Sequence, residues 1–142
     1  MRVRLGILLA PLFLASLAGC KGKADTMSEH PYFLRTLDDR WEIVRKSFQS
    51  DKPEIGYSPI LLKDLSGAVG AMKRTYGKPN RDQAIAKLEA LTKKFRAELK
   101  TKVDMRDGAI RLMPGATVAE VGEVMERGYQ EYLEFKKLLE AG

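Results

Sequence analysis

Residues 117–139, TVAEVGEVMERGYQEYLEFKKLL, decide the fold. Val118, Val121, Met125, Gly128, Tyr132, Phe135 and Leu139 recur at alternating steps of three and four, which lines them along one stripe of an α-helix and does not fit the two-residue period of a strand. Thr117 and Glu120 have capping-box spacing, so each side chain is placed to satisfy an amide the first helical turn leaves open. Glu120, Glu123 and Glu126 near the start, with Lys136 and Lys137 near the end, follow the sign of the helix dipole.

Three earlier segments repeat the pattern. Leu34, Leu37, Trp41, Val44 and Phe48 form the first stripe, and Leu62, Leu65, Val69, Met72 and Tyr76 the second. Ile85, Leu88, Thr92, Phe95 and Leu99 form the third, with one polar member. Ser58 before Pro59 pairs a capping oxygen with a residue suited to the first helical position. Asn80 with Gln83 has capping-box spacing. Asp51 to Tyr57 (DKPEIGY) and Gly77-Lys78-Pro79 are turn-forming connections. Val103 to Ala116, with Asp107-Gly108 and Pro114-Gly115, is longer, and Ile110, Leu112 and Met113 within it need apolar cover, which predicts that it crosses the end of the helices.

Four narrow apolar stripes joined mostly by short connections predict an all-α chain, packed as an antiparallel four-helix bundle. The alternative is three long helices with Leu34 to Phe48 as an extra short helix packed across them. No repeat of solenoid length is present.

The chain opens differently. Arg2 and Arg4 precede an apolar run, Leu5 to Leu17 (LGILLAPLFLASL), and small residues Ala18 and Gly19 stand before Cys20. This is the three-part pattern of an export signal. The run falls short of the roughly 20 residues that span a hydrocarbon core, and Pro11 interrupts it. Leu17-Ala18-Gly19-Cys20 resembles the lipobox of bacterial lipoproteins, a resemblance limited to the first 20 residues. It implies cleavage between Gly19 and Cys20, a diacylglycerol on the Cys20 sulfur, and residence in the cell envelope. Cys20 is the chain's only cysteine, so no disulfide forms within one chain and acylation accounts for the thiol. Lys21 differs from the aspartate that marks inner-membrane retention in some two-membrane bacteria, which favours the outer membrane if the source is such a cell. The expected organisation is a signal peptide over 1–19, a lipidated cysteine and short tether over 20–27, and a helical domain over 28–142. Lys21 and Lys23 in the tether suit anionic headgroups.

The formal charge of +6 falls to +4 without Arg2 and Arg4. That modest surplus suits anionic lipid or simple solubility, and no basic aromatic motif points to nucleic acid. Covalent haem needs C-x-x-C-H, which is absent. His30 is the only histidine, so the Glu-x-x-His pairs of a di-iron bundle and Cys/His zinc sites are excluded by count. His30 with Met72 or Met125 is the only non-covalent haem pairing, and His30 stands outside the apolar stripe. Asp104 and Asp107 lack the alternating ligands of a calcium loop. No G-x-S-x-G elbow is present, and adjacent Asp38 and Asp39 point about 100° apart on a helix. No catalytic constellation, metal or cofactor is expected beyond the lipid on Cys20.

Two patterns remain. Lys93, Lys94, Arg96 and Lys100 make the third helix basic, a candidate face for a membrane or an acidic partner. Gly67 and Gly70 in the second helix and Gly122 and Gly128 in the fourth each cost up to about 1 kcal/mol relative to alanine. Such a cost implies close approach, with Trp41 or Tyr76 filling the space at Gly128, or else a groove that accepts a ligand or helix. The expected function is a non-enzymatic, membrane-anchored interaction module for an envelope protein or complex. The alternative is a carrier or sensor for a small apolar ligand.

Overall fold

The first stripe forms helix α1, Tyr32–Phe48, with Leu34, Leu37, Trp41 and Val44 buried. Beyond Phe48 the Ser47 hydroxyl accepts from the Glu54 amide at 2.9 Å, which folds the connection back on the helix end. Helix α2 follows at Tyr57–Thr75, helix α3 at Arg81–Lys100 and helix α4 at Val118–Ala141. This is a computed structural model, and it describes residues 32–142. The signal, the cleavage site at Gly19 and Cys20, the tether with Lys21 and Lys23, and His30 lie outside the described residues.

Residues 32–142 form an all-α, four-helix fold. α1 packs on α2, α2 on α3, α3 on α4, and α4 returns to α1. Short connections make successive helices run antiparallel. The stripes meet at the centre: Leu37, Trp41, Leu65, Met72, Leu88, Leu99, Met125 and Phe135 have at most 1 % exposure. Because α1 is a full 17-residue helix with neighbours on both sides, the three-helix alternative does not hold. Ion pairs lace each neighbouring pair from outside. Arg40–Asp64 (2.7 Å), Lys73–Glu89, Arg127–Glu98 (3.1 Å) and Lys136–Asp38 (3.0 Å) are examples. Exposed pairs of this kind contribute about 0 to 1 kcal/mol each, so the apolar core carries the fold.

Of the three expected helix starts, one forms as read. Thr117 and Glu120 make the reciprocal capping box, with both bonds present. Ser58 does not cap. The helix has already begun at Tyr57, and the buried Ser58 hydroxyl donates to the Ile55 carbonyl at 2.6 Å. Asn80 occupies the cap position of α3, yet its side chain makes no capping bond. It accepts from the Tyr76 hydroxyl (2.9 Å) and donates to the Leu138 carbonyl (2.7 Å), tying the α2–α3 turn to the end of α4. The Tyr76 hydroxyl occupies the side-chain oxygen that would otherwise accept a helix amide.

The long third connection is a small β-hairpin. Strands β1 (Val103–Asp104) and β2 (Arg111–Leu112) pair antiparallel, Val103 opposite Leu112. Between them runs a 3₁₀ turn, Arg106–Gly108. Asp107 at φ 61° and Gly108 at φ 69° make the reversal, a conformation that Asp and Gly tolerate better than other residues. Val103 is buried, Met105 and Leu112 pack against the core, and Ile110 lies within 4.0 Å of where a Cβ on Gly56 would stand. The hairpin therefore covers the bundle end that holds the α1–α2 connection.

Candidate functional site

α1 and α4 form the loosest of the four neighbouring contacts, and an open seam runs between them. At the hairpin end the seam is a cavity of about 600 Å³ with Phe48, Pro53, Val118, Ala119, Gly122 and Met125 along its floor and Arg45, Gln49, Glu123 and Glu126 at its rim. Arg45 also borders a second cavity of about 370 Å³, toward the other end, lined by Asp38, Glu42, Tyr129, Tyr132, Leu133 and Lys136. The two cavities follow one another along the seam with Arg45 between them, the first mainly apolar and the second mainly polar. From Val118 to Lys136 the helical rise gives the seam a length of about 27 Å.

Beneath the groove lies the aromatic centre of the bundle. Trp41, fully buried, meets Phe95 at 6.0 Å between centroids, and Tyr129 and Tyr132 at 5.7 Å each. Its indole N–H has no hydrogen-bond partner. An orphaned buried donor costs about 1–3 kcal/mol, which the large apolar area of the ring outweighs. The Tyr132 hydroxyl donates to Asp38 at 2.7 Å, and Lys136 donates to the same oxygen at 3.0 Å. Burial, then the bond to Asp38, pushes the Tyr132 phenol above its ordinary value of 10. Arg45 lies over the Tyr129 ring at 4.1 Å and reaches Glu126 at 3.4 Å. These groups hold one another in place.

The basic residues of α3 do not form one surface. Lys94 turns toward α4 and pairs with Glu131, which raises its pKa. Arg96 turns toward α2 and donates to the Ser66 hydroxyl at 3.0 Å. Lys93 and Arg96 border a shallow cavity of about 220 Å³ between α2 and α3, with Ser66, Val69, Glu89 and Thr92. Lys93 and Lys100 are exposed and make no ion pair among the described residues.

The glycines divide as well. A Cβ on Gly128 would stand 3.0 Å from both Phe95 and Trp41, so close ring packing fills this position and leaves beside it only a crevice of about 10 Å³. Tyr76 is not part of that contact; it is bonded to Asn80. Gly122 borders the seam, 3.2 Å from Phe48 by the same measure. Gly67 has no neighbour within 4 Å and Gly70 has only Arg74 at 3.4 Å, so neither marks a close approach of two helices, and neither borders the cavities described above.

The seam's polar half went unread in the sequence. Its signal is a second stripe beside the apolar one: Asp38, Glu42 and Arg45 on α1, and Tyr129, Leu133 and Lys136 on α4, each at steps of four and three. Among the described residues no group of three His, Cys, Asp or Glu side chains is arranged to hold a metal. No described helix is long and apolar enough to cross a membrane. Comparison of the chain with protein-family models, curated proteins and solved structures finds no match.

Proposed function

We propose that this chain is a lipoprotein, anchored in a bacterial envelope membrane through acylated Cys20, that works without catalysis as a helical interaction module for an envelope protein or complex. The observation that carries the reading is the seam between α1 and α4. It is long enough for several turns of a partner's helix, and it has an apolar floor for burial and polar groups at its edges for register. The anchor motif supplies the compartment: two acyl chains give stable retention, at about 0.8 kcal/mol per buried methylene. Lys21 weakly favours the outer membrane of a two-membrane cell.

Photo-crosslinking in native membranes tests the reading. Probes at Gln49 and Ala119 on the seam, and at Lys93 and Lys100 on α3, are expected to capture one recurrent protein from one of the two faces. Adducts to lipid alone from every position refute it. A carrier for a small apolar ligand is the second reading, favoured by the roughly 600 Å³ cavity, which falls in the usual range of ligand pockets. Native mass spectrometry of delipidated protein decides it, since a carrier retains a stoichiometric adduct.

A further inference from the structure

We propose that the outer face of α2 and α3 rests on the anionic headgroups of the membrane that holds the anchor, so that the bundle lies on its side. This rests on the anchoring through Cys20 in the reading above, and it leaves the α1–α4 seam open to a partner.

The fold leaves one set of charges unanswered. All four carboxylates of α2 and α3 are neutralised, Asp64 by Arg40, Asp82 by Arg81, Glu89 by Lys73 and Glu98 by Arg127. Lys63 and Arg74 of α2, and Lys93, Arg96 and Lys100 of α3, are exposed and make no ion pair among the described residues; Arg96 donates only to the Ser66 hydroxyl, at 3.0 Å. Lys63, Gly67, Gly70 and Arg74 follow at steps of four, three and four, and Lys93, Arg96 and Lys100 at steps of three and four, so each set is one outward stripe of its helix. The Arg96–Ser66 bond, and the shallow cavity that Lys93 and Arg96 share with Ser66 and Val69, put the two stripes on the same side of the bundle. The acid that borders this cavity, Glu89, is held by Lys73. Five cations with no carboxylate left to answer them make this side a positive surface.

The make-up of the face selects lipid over protein. Lysine is depleted at the centres of protein interfaces, where large aromatic anchors seat in pockets. Here three of the five cations are lysines, and the large apolar side chain exposed beside them on α2 is Ile60, three residues before Lys63. A Cβ on Gly67 would meet nothing within 4 Å and one on Gly70 only Arg74, so neither glycine has a packing partner inside the domain. The low floor they leave lets headgroup phosphates come close to α2 while long Lys and Arg side chains reach them from both helices. Each such cation within a Debye length of an anionic leaflet adds attraction. The tether has the reach: Cys20 lies 12 residues before Tyr32, about 40 Å if extended, against about 30 Å for the length of α3.

The test reconstitutes the chain, purified from membranes, into phosphatidylcholine vesicles that carry a nitroxide on some headgroups, with or without phosphatidylglycerol as roughly a third of the lipid. A fluorescent residue replaces either Ala97, exposed between Lys93 and Lys100 on α3, or Gln130, exposed on α4. Quenching at position 97 is expected to be about twofold stronger on the anionic vesicles and to fall to the neutral value in high salt, with position 130 equal on both. Lys63→Gln, Lys93→Gln and Lys100→Gln together should remove the difference with the circular dichroism unchanged. Arg35→Gln, Lys52→Gln and Arg111→Gln, which remove the same charge elsewhere, should leave it intact. Equal quenching on both vesicles, the same rise at positions 97 and 130, or equal loss in the control triple overturns the proposal. A protein captured by the α3 photo-probes in native membranes also overturns it, in favour of an acidic partner, and the interaction-module reading then stands. A chain that floats with neither vesicle refutes the anchor, and this inference with it.

Discussion

Replacing Gly128 with alanine separates two opposed effects that the structure sets against each other. A helical Gly→Ala exchange by itself stabilises by about 1 kcal/mol. At Gly128 the new methyl would stand 3.0 Å from Phe95 and 3.0 Å from Trp41, roughly 0.5 Å or more inside a comfortable carbon–carbon separation. Neither ring can yield freely. Trp41 is wedged among Phe95, Tyr129 and Tyr132, and both Trp41 and Phe95 are at most 2 % exposed. Overpacking of this kind costs about 1–3 kcal/mol, and the rigid cluster puts it in the upper part of that range. The net expectation is a loss of about 1 kcal/mol. Gly67→Ala is the matched control, because nothing lies within 4 Å of its Cβ position and the propensity gain of about 1 kcal/mol should appear undiminished. Urea denaturation of the purified protein, followed by the fluorescence of its single Trp, reads both. If Gly128→Ala stabilises as much as Gly67→Ala, the space at Gly128 is open and the ring-packing account is wrong.

Other consequences are as direct. Thr117→Ala should cost about 1 kcal/mol, because this residue alone among the three expected caps receives a backbone amide; chemical denaturation measures it, and a change within error would remove the capping box from the account. Asn80→Ala should cost about 1 kcal/mol for a different reason, the lost bond to Leu138, and should speed amide exchange over the last turn of α4; unchanged exchange there would refute the tie. Hydrogen bonds from Arg106 hold the Asp104 carboxyl at about 2, below its ordinary 3.8. A depressed folded value means that the pair's stabilisation is present above the ordinary value and is lost as pH falls from about 4 through 2. A carboxyl NMR titration of Asp104 with a midpoint near 3.8 would show the pair absent in solution. Cys20→Ser should abolish incorporation of radiolabelled palmitate, since a hydroxyl cannot form the thioether; undiminished labelling would sink the anchor reading.

The helices were legible in the sequence because burial leaves a periodic trace. Trp41, Leu88, Met125 and Phe135 lie where their stripes place them, and the class of fold follows from those stripes alone. The helix starts were less legible. Asn80 and Ser58 have the composition of caps, yet Ser58 bonds back to the Ile55 carbonyl and Asn80 reaches Leu138, and local spacing carries no information about a carbonyl on a helix 58 residues away. The hairpin was half visible: Asp107-Gly108 announces a turn, but pairing two residues on each side leaves no alternation to detect. The candidate site was the least legible part. The basic run on α3 looks continuous in sequence, but its members turn toward α2, α4 and solvent, whereas the seam joins residues of α1 and α4 that nothing local connects.

That the seam lies between the first and last of the described helices also bears on how the chain folds. Asp38 and Tyr132, bonded across it, are 94 residues apart, whereas α2, α3 and α4 meet their partners through nearer neighbours. Closing so long a loop is entropically late. A nucleus of α2, α3 and α4 is therefore expected to form first, with φ-values near zero for Asp38 and Arg45. Synthesis runs in the opposite order, so α1 emerges first and waits for the helix that completes its burial.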